Sequence, residues 1–146
     1  MAENKALATM ENALATFAVN DQNVGAMYCS MKPTGERKHD AQIFAAINNP
    51  DDRIANHINE VLKVVNVSIS IIQILNEETG EVDVVPRVVF IAEDGKTYQA
   101  TSKGIYSAIR NAYLVFGEAP WEPALEIKIK QVIVSKGSML TFDVVG

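Results

Sequence analysis

The chain has 146 residues, of which 48% are hydrophobic, and it carries a formal net charge of -5. This length and composition predict one domain with a core large enough to fold without disulfides or metal. Its single cysteine, Cys29, excludes an internal disulfide framework and a cysteine-based metal site. No apolar run is as long as a membrane span and the first residues do not resemble a secretory signal, which predicts a cytoplasmic protein without a membrane partner.

The negative net charge argues against a general polyanion binder, because such domains usually carry a basic excess. The charges are nevertheless unevenly distributed along the chain. Acidic residues concentrate at 77–83 and 118–122, and the basic residues fall elsewhere. The sequence therefore leaves open a surface that is divided into acidic and basic regions.

Residues 1–20 are rich in alanine, glutamate, leucine and methionine, and they place apolar side chains three or four residues apart. This spacing predicts an N-terminal helical extension over 1–20, followed by a domain over 21–146. Such a helix either packs on the domain or associates copies of the chain, and we favour packing. The apolar residues are Leu7, Met10, Leu14 and Phe17.

The first part of the domain gives weak signals. Residues 23–31 are typical of a strand. Residues 32–39 contain proline, glycine and three fixed positive charges, which predicts a loop that either contacts phosphates or is solvated. A short apolar piece at 42–47 ends in a turn sequence, Asn48-Asn49-Pro50-Asp51. The pattern at 53–59 does not distinguish a strand from a helix.

Residues 61–75 give the clearest strand prediction, because apolar and polar side chains alternate along them. A turn then leads to a second strand at 82–92. Pro86 is expected at a bulge or an edge of that strand, since it cannot donate to a β-ladder. In the first strand, the side chains expected to face the core are Val65, Val67, Ile69 and Ile71.

The stretch 86–117 predicts a hairpin followed by an amphipathic helix. Asp94-Gly95 favours a two-residue type I′ turn, in which both central residues need a positive φ angle. Ser102 is expected to cap the helix and Gly117 to end it. One face of this helix is apolar, and a second face is predicted to be an aromatic and basic surface. That second face carries Tyr106, Arg110 and Tyr113.

Two final strands are predicted at 125–134 and 138–145. Several strands, one helix and two more strands match a five-stranded Greek-key barrel of the oligonucleotide-binding (OB) type, with its helix between the third and fourth strands. The same order is compatible with an α+β sandwich. We therefore expect a mainly β fold, an OB-like barrel with an N-terminal helix.

The sequence lacks the groups that an enzyme needs. His39 and His57 stand apart, with no carboxylate or cysteine at ligand spacing. No GxSxG, P-loop or GxGxxG motif is present. Asp51-Asp52 follows a proline and is more typical of a turn than of a cation site. We expect no catalysis, no cofactor and no metal.

The hairpin and the helix combine aromatic rings with basic side chains. A protein that binds single strands without sequence preference needs exposed rings for stacking and cations for the phosphates. Tyr98 is the leading stacking candidate, because it shares its strand face only with Ala100, and Tyr106 is the second. Phe90 and Trp121 are expected in the core. The candidate cations are Arg87, Lys96, Lys103, Arg110, Lys128 and Lys130.

Three blocks resemble a known family: IFAAINNPDDRIANHIN at 43–59, VVFIAEDGKTYQATSKGIYSAI at 88–109 and IKIKQVIVSKGSMLTFDVV at 127–145. The chain from about residue 28 to residue 145 is similar to the small single-stranded DNA-binding proteins of tailed bacteriophages that replicate by protein priming. The most specific part is a D-G-x-x-Y-x-A-x-S-K block. It consists of Asp94, Gly95, Tyr98, Ala100, Ser102 and Lys103.

The resemblance implies a protein that coats displaced single-stranded DNA during phage genome replication, in the cytoplasm of the host cell, with Tyr98 as a stacking residue. Replication proteins and further copies of the chain are additional candidate partners. The alternative hypothesis is a phage protein-interaction module that binds a host or replisome protein through an acidic surface.

Overall fold

The computed structural model describes residues 19–135 and 137–146. The predicted helical extension falls largely on residues 1–18, outside the described residues, so that helix and the division of the chain at residue 20 stay predictions. In the described part, neither helix is long and apolar enough to cross a membrane.

The described residues contain two helices and seven strands, and the strands form one mixed sheet. The strands are β1 (Met27–Cys29), β2 (Asp52–Arg53), β3 (Val61–Leu75), β4 (Val82–Ala92), β5 (Thr97–Ala100), β6 (Leu125–Val134) and β7 (Gly137–Val144). The helices are α1 (Arg37–Asn48) and α2 (Lys103–Phe116), and short 3₁₀ turns lie at Asp21–Asn23 and Ile54–His57.

The sheet has the order β2-β5-β4-β3-β6-β7, and β1 pairs with β3 beside this path. All described pairings are antiparallel except that between β2 and β5. The sheet curls into a half-barrel. The mainly β character is thus confirmed, whereas the five-stranded OB topology is not, because residues 19–135 and 137–146 contain seven strands and the terminal strands β2 and β7 do not pair with each other.

Helix α2 fills the inner face of the curled sheet. Its buried residues Ile105 and Ile109 belong to one apolar cluster with Val67 and Ile69 of β3 and Phe90 of β4. Burying a side chain of this size contributes roughly 1.5–3 kcal/mol relative to leaving it exposed. This packing gives the sheet two distinct sides, an inner side against α2 and an outer side.

The strand prediction for 61–75 is confirmed, but the expected inward position of Val65 is wrong. The register between β3 and β4 shifts between Val64 and Asn66, as a β-bulge requires. Val64 therefore takes the buried position and Val65 is only half-buried, while Val67 and the later alternating residues face the core as expected.

Pro86 lies where β4 has a partner on one side only. It is opposite Ile71 of β3, and the pairing of β4 with β5 begins at Val88. The missing amide donor of proline therefore interrupts no ladder to β5. The expectation that Pro86 occupies a locally unpaired edge is confirmed.

The hairpin between β4 and β5 is confirmed, but its predicted turn type is wrong. The Gly95 amide donates to the Ala92 carbonyl over 3.0 Å, and the Ala92 amide donates to the Lys96 carbonyl over 2.8 Å. Gly95 has a φ of +88°, whereas Asp94 is not among the residues with positive φ. The loop is thus a three-residue type, in which glycine alone takes the left-handed conformation.

Helix α1 was not predicted, since its residues were assigned to a loop and a short apolar piece. The Asp40 carboxylate accepts the amides of Thr34 and Gly35 over 2.9 and 3.0 Å, which ties the preceding loop to the first turn of the helix. Only Ile43 and Ala46 of this helix are buried. Two buried residues are too few to produce a recognisable helical periodicity in the sequence.

The ends of α2 follow the sequence prediction. The Ser102 hydroxyl accepts the Ile105 amide over 3.2 Å, and Gly117 ends the helix with a φ of +86°. Between them, Gly104 lies against the backbone of β7. A Cβ atom at this position would collide with the Leu140 carbonyl oxygen and would lie 2.6 Å from Met139 Cγ.

We predict that Gly104→Ala destabilises the protein, although alanine is the better helix former by about 1 kcal/mol. The backbone of β7 cannot move aside as a flexible side chain could, so overpacking should cost about 1–3 kcal/mol. Urea unfolding of Gly104→Ala should show a lower midpoint, whereas the exposed neighbour Ser107→Ala should not. A Gly104→Ala midpoint equal to or above that of the wild type would contradict this packing.

Candidate nucleic-acid interface

Tyr98 lies on the inner face of β5, opposite Phe90, and only 8% of it is exposed. The expectation that its ring is accessible is wrong. The 3₁₀ turn that follows β2 covers the ring, and His57 meets it edge-on with ring centroids 4.9 Å apart. The predicted accessibility was wrong because it was based only on the neighbours of Tyr98 along β5, whereas the ring is covered by a residue from another element.

His57 is held between two carboxylates. Its Nε2 lies 2.7 Å from Asp52 Oδ2, and its Nδ1 lies 3.2 Å from Glu60 Oε1. The hydrogen bond with Asp52 is the main reason that the pKa of His57 is raised. Hydrogen bonds from Asn56, His57 and the Arg53 amide lower the pKa of Asp52 to about 2. The imidazolium form, which donates from both nitrogens, is therefore favoured here.

The surroundings of Tyr98 are acidic. Burial is the main cause of the raised pKa of its phenol, and nearby carboxylates raise it further. Those carboxylates are Asp94, Asp52, Asp51 and Glu60. A phosphate near this ring would be repelled by them, so cations for a nucleic-acid backbone must come from other parts of the surface.

The aromatic and basic face predicted for α2 does not exist as a surface. Tyr106 is 6% exposed and Tyr113 is fully buried, where its hydroxyl lies 2.8 Å from that of Tyr28. Burial is the main cause of the raised pKa of Tyr106. Arg110 is exposed, but the two tyrosine rings predicted beside it are buried and cannot form a surface with it. The buried stripe of α2 is wider than the apolar spacing indicated, because tyrosine rings contribute to it.

The prediction that Phe90 and Trp121 are core rings is confirmed. Both are buried in the main cluster, and the Trp121 indole donates to the Gly117 carbonyl over 3.0 Å. Among the described residues, the exposed aromatic rings are Phe44 and Phe116. Phe44 was not singled out by its sequence, since it lies in the piece whose helical structure was not predicted.

The Arg87 side chain forms two hydrogen bonds within the protein. Its Nε donates to Gln99 Oε1 over 3.0 Å, and its Nη1 donates to the Ile47 carbonyl over 2.7 Å. The side chain thereby connects the outer face of the sheet to the C-terminal end of α1. Two of its five N–H groups are used, and the others are available to a ligand.

The other predicted cations lie on different sides of the molecule. Lys128 and Lys130 are on the outer face of β6, where Lys130 Nζ lies 2.6 Å from Asp143 Oδ2. Lys103 and Arg110 are exposed on α2, which covers the inner face. The exposed Lys96 lies in the turn between β4 and β5. The eight predicted residues thus do not meet in one site.

A groove of about 390 Å³ and one of about 640 Å³ lie on the described surface. Arg53, Gln99 and Ser102 line the smaller one at the start of α2. Lys32, Gln42 and Asn66 line the larger one, together with the acidic residues Glu93 and Glu122. Among residues 19–135 and 137–146, no group of three or more His, Cys, Asp or Glu side chains is arranged to hold a metal ion.

We predict that His57 stabilises the fold in a pH-dependent way. Since its pKa is raised in the folded state, its contribution is fully present below the unfolded value of about 6.5 and is lost as the pH rises through the folded value. In urea unfolding, the midpoint difference between the wild type and His57→Gln should shrink from pH 5.5 to pH 9. In an Asp52→Asn background this change should be smaller. A difference independent of pH would contradict the role of the Asp52 contact.

Comparison with known proteins gave one family. The family model described as phage single-stranded DNA-binding protein matches residues 21–144, which include all seven strands and both helices. No curated protein and no solved structure matches the chain. Since the match extends over most of the chain, the protein belongs to the family of phage single-stranded DNA-binding proteins.

Proposed function

We propose that this protein coats single-stranded DNA during phage genome replication, in the host cytoplasm, with little sequence preference and without catalysis. Coating keeps displaced strands from re-annealing. The observation that supports this proposal is the family match over residues 21–144. Replication proteins and further copies of the chain are proposed as additional partners.

Phosphate contacts are proposed for exposed or half-buried cations that have no ion pair among the described residues. Each cation that meets a phosphate releases condensed counterions, so affinity comes from local contacts and tolerates a net charge of -5. Lys130 is a weaker candidate, because Asp143 already neutralises it. The favoured cations are Lys96, Lys103, Arg110 and Lys128, with Arg87 contributing through its remaining N–H groups.

Stacking on Tyr98 remains part of the proposal, and Tyr106 is the second candidate ring. Because Tyr98 is covered by His57, a base reaches it only when the four-residue 3₁₀ turn moves away. A stacked base contributes about 1–3 kcal/mol. Stacking therefore adds affinity only if the free energy needed to open the turn is smaller than this gain. The turn is four residues long, and the contacts of His57 with Asp52 and Glu60 would have to break for the ring of Tyr98 to open.

We expect tight binding to a labelled oligothymidylate and weaker binding to a duplex of the same length. The logarithm of the association constant should fall linearly with the logarithm of salt concentration, by about 0.7 per phosphate contact. In the same titration, Lys128→Gln should lower the magnitude of this slope by about 0.7, which corresponds to the loss of one phosphate contact. Lys130→Gln, two residues away on the same strand face, is the matched control and should lower it less.

Equal affinity for single strand and duplex would refute the proposal. Absence of binding at low salt would instead favour a protein-interaction module that uses an acidic surface. The carboxylates around Tyr98 are the specific observation behind that alternative.

We further predict that Tyr98→Leu weakens binding to oligothymidylate by about fivefold or more, since leucine offers no π-face to a base. Phe142→Leu is the control, because Phe142 is also a buried ring, packed edge-on against Phe90, and is not a candidate for stacking. Both substitutions should lower the urea midpoint, and only Tyr98→Leu should lower affinity. Equal affinities for the two variants would remove Tyr98 from the site.

A further inference from the structure

Phe44 is 66% exposed on helix α1, although it is one of the largest apolar side chains of the domain. The helix packs on the outer face of the sheet through its neighbours, with Ala46 in a small cluster with Val89 and Ile91. Phe44 therefore contributes little to holding α1 in place. An exposed apolar residue is common by itself, so its surroundings decide what it can do.

A guanidinium group lies towards one end of the helix face that carries Phe44. Arg37 precedes it by seven residues, which is two helical turns, and so lies on the same face about 10 Å away along the axis. Arg87 reaches the C-terminal end of the helix from the side of the sheet, where it bonds to the carbonyl of Ile47. Among the neighbours of Phe44 one helical turn away, Ala41 and Asn48 are exposed, and Asp40 and Ile47 are half-buried.

The cations at the start of α1 do not stabilise the helix. Arg37 and Lys38 lie in its first turn, where the helix dipole disfavours positive charge. The nearby Asp40 faces the preceding loop, because its two oxygens accept the amides of Thr34 and Gly35. No ion pair to Arg37 or Lys38 exists among the described residues. Both charges are thus available to an anionic ligand.

We infer that this face of α1 binds single-stranded DNA, with Phe44 stacking on a base and Arg37 meeting a neighbouring phosphate. An open ring beside a cation is the combination that holds a single strand without reading its sequence. The inference rests on the proposed function and adds a contact region on the outer side of the sheet. Unlike Tyr98, Phe44 is accessible without any movement of the protein.

The test compares Phe44→Ala with Val115→Ala, a matched control that removes a 72% exposed apolar side chain from the surface of α2. Both variants should keep the wild-type urea midpoint. The dissociation constant for oligothymidylate should rise about 5- to 100-fold for Phe44→Ala, as loss of one stacked base predicts, and less than twofold for Val115→Ala.

Two further variants separate stacking from general packing. Phe44→Trp should retain affinity, and its fluorescence should be quenched when oligothymidylate binds, more strongly than that of the wild type, whose Trp121 is buried. Arg37→Gln should lower the salt slope by about 0.7 and leave the urea midpoint unchanged or raised.

The outcomes distinguish the inference from the function on which it rests. If the wild type binds and Phe44→Ala binds equally well, the α1 site is refuted while the proposed function stands. If Arg37→Gln leaves the salt slope unchanged, the phosphate contact is refuted. If the wild type itself does not bind oligothymidylate, both the function and the site fail.

Discussion

Packing of α2 against the inner face of the sheet determines which aromatic rings the protein presents at its surface. Tyr106 and Tyr113 point from α2 into the same cluster that contains Phe90 and Trp121. Tyr98 joins this cluster from β5 and is closed off by His57. Most of the aromatic rings in the described residues are thus used to build the core, and the exposed ones are Phe44 on α1 and Phe116 at the end of α2.

Charge adds a second constraint. Carboxylates surround Tyr98, whereas free cations lie on α2, on β6 and at the start of α1. Since screening limits the reach of exposed charges to about 8–10 Å at ordinary salt, a strand responds to the nearest side chains more than to the net charge. An overall acidic protein of this family can therefore hold an anionic polymer, provided that the polymer follows the basic regions.

Local signals in the sequence predicted local structure well. The alternation along β3, the serine cap of α2, the hairpin at Gly95 and the last two strands are confirmed, because each depends on residues close in sequence. The family was also recognised from short blocks around Tyr98. Helix α1 was missed because it buries only two residues, and the inward side of Val65 was wrong because a bulge has no signature in alternation.

The candidate site was harder to predict, since exposure depends on elements distant in sequence. Tyr98 is covered by a turn that lies about forty residues earlier in the chain, and Arg87 is drawn into contacts with Ile47 and Gln99. Phe44 is exposed because α1 packs on the sheet through its opposite side, which the sequence does not indicate. For each of these residues, spacing alone left the surroundings of the side chain undetermined.

The absence of a side chain at Gly104 has a mechanical consequence. With no methyl group between the first turn of α2 and the backbone of β7, the helix and the C-terminal hairpin are in direct main-chain contact. Main-chain atoms cannot adjust by rotating about side-chain bonds, so the helix cannot move closer to the hairpin at this point without a shift of the backbone. The position of the helix relative to the C-terminal hairpin is therefore set at Gly104 by the backbone itself.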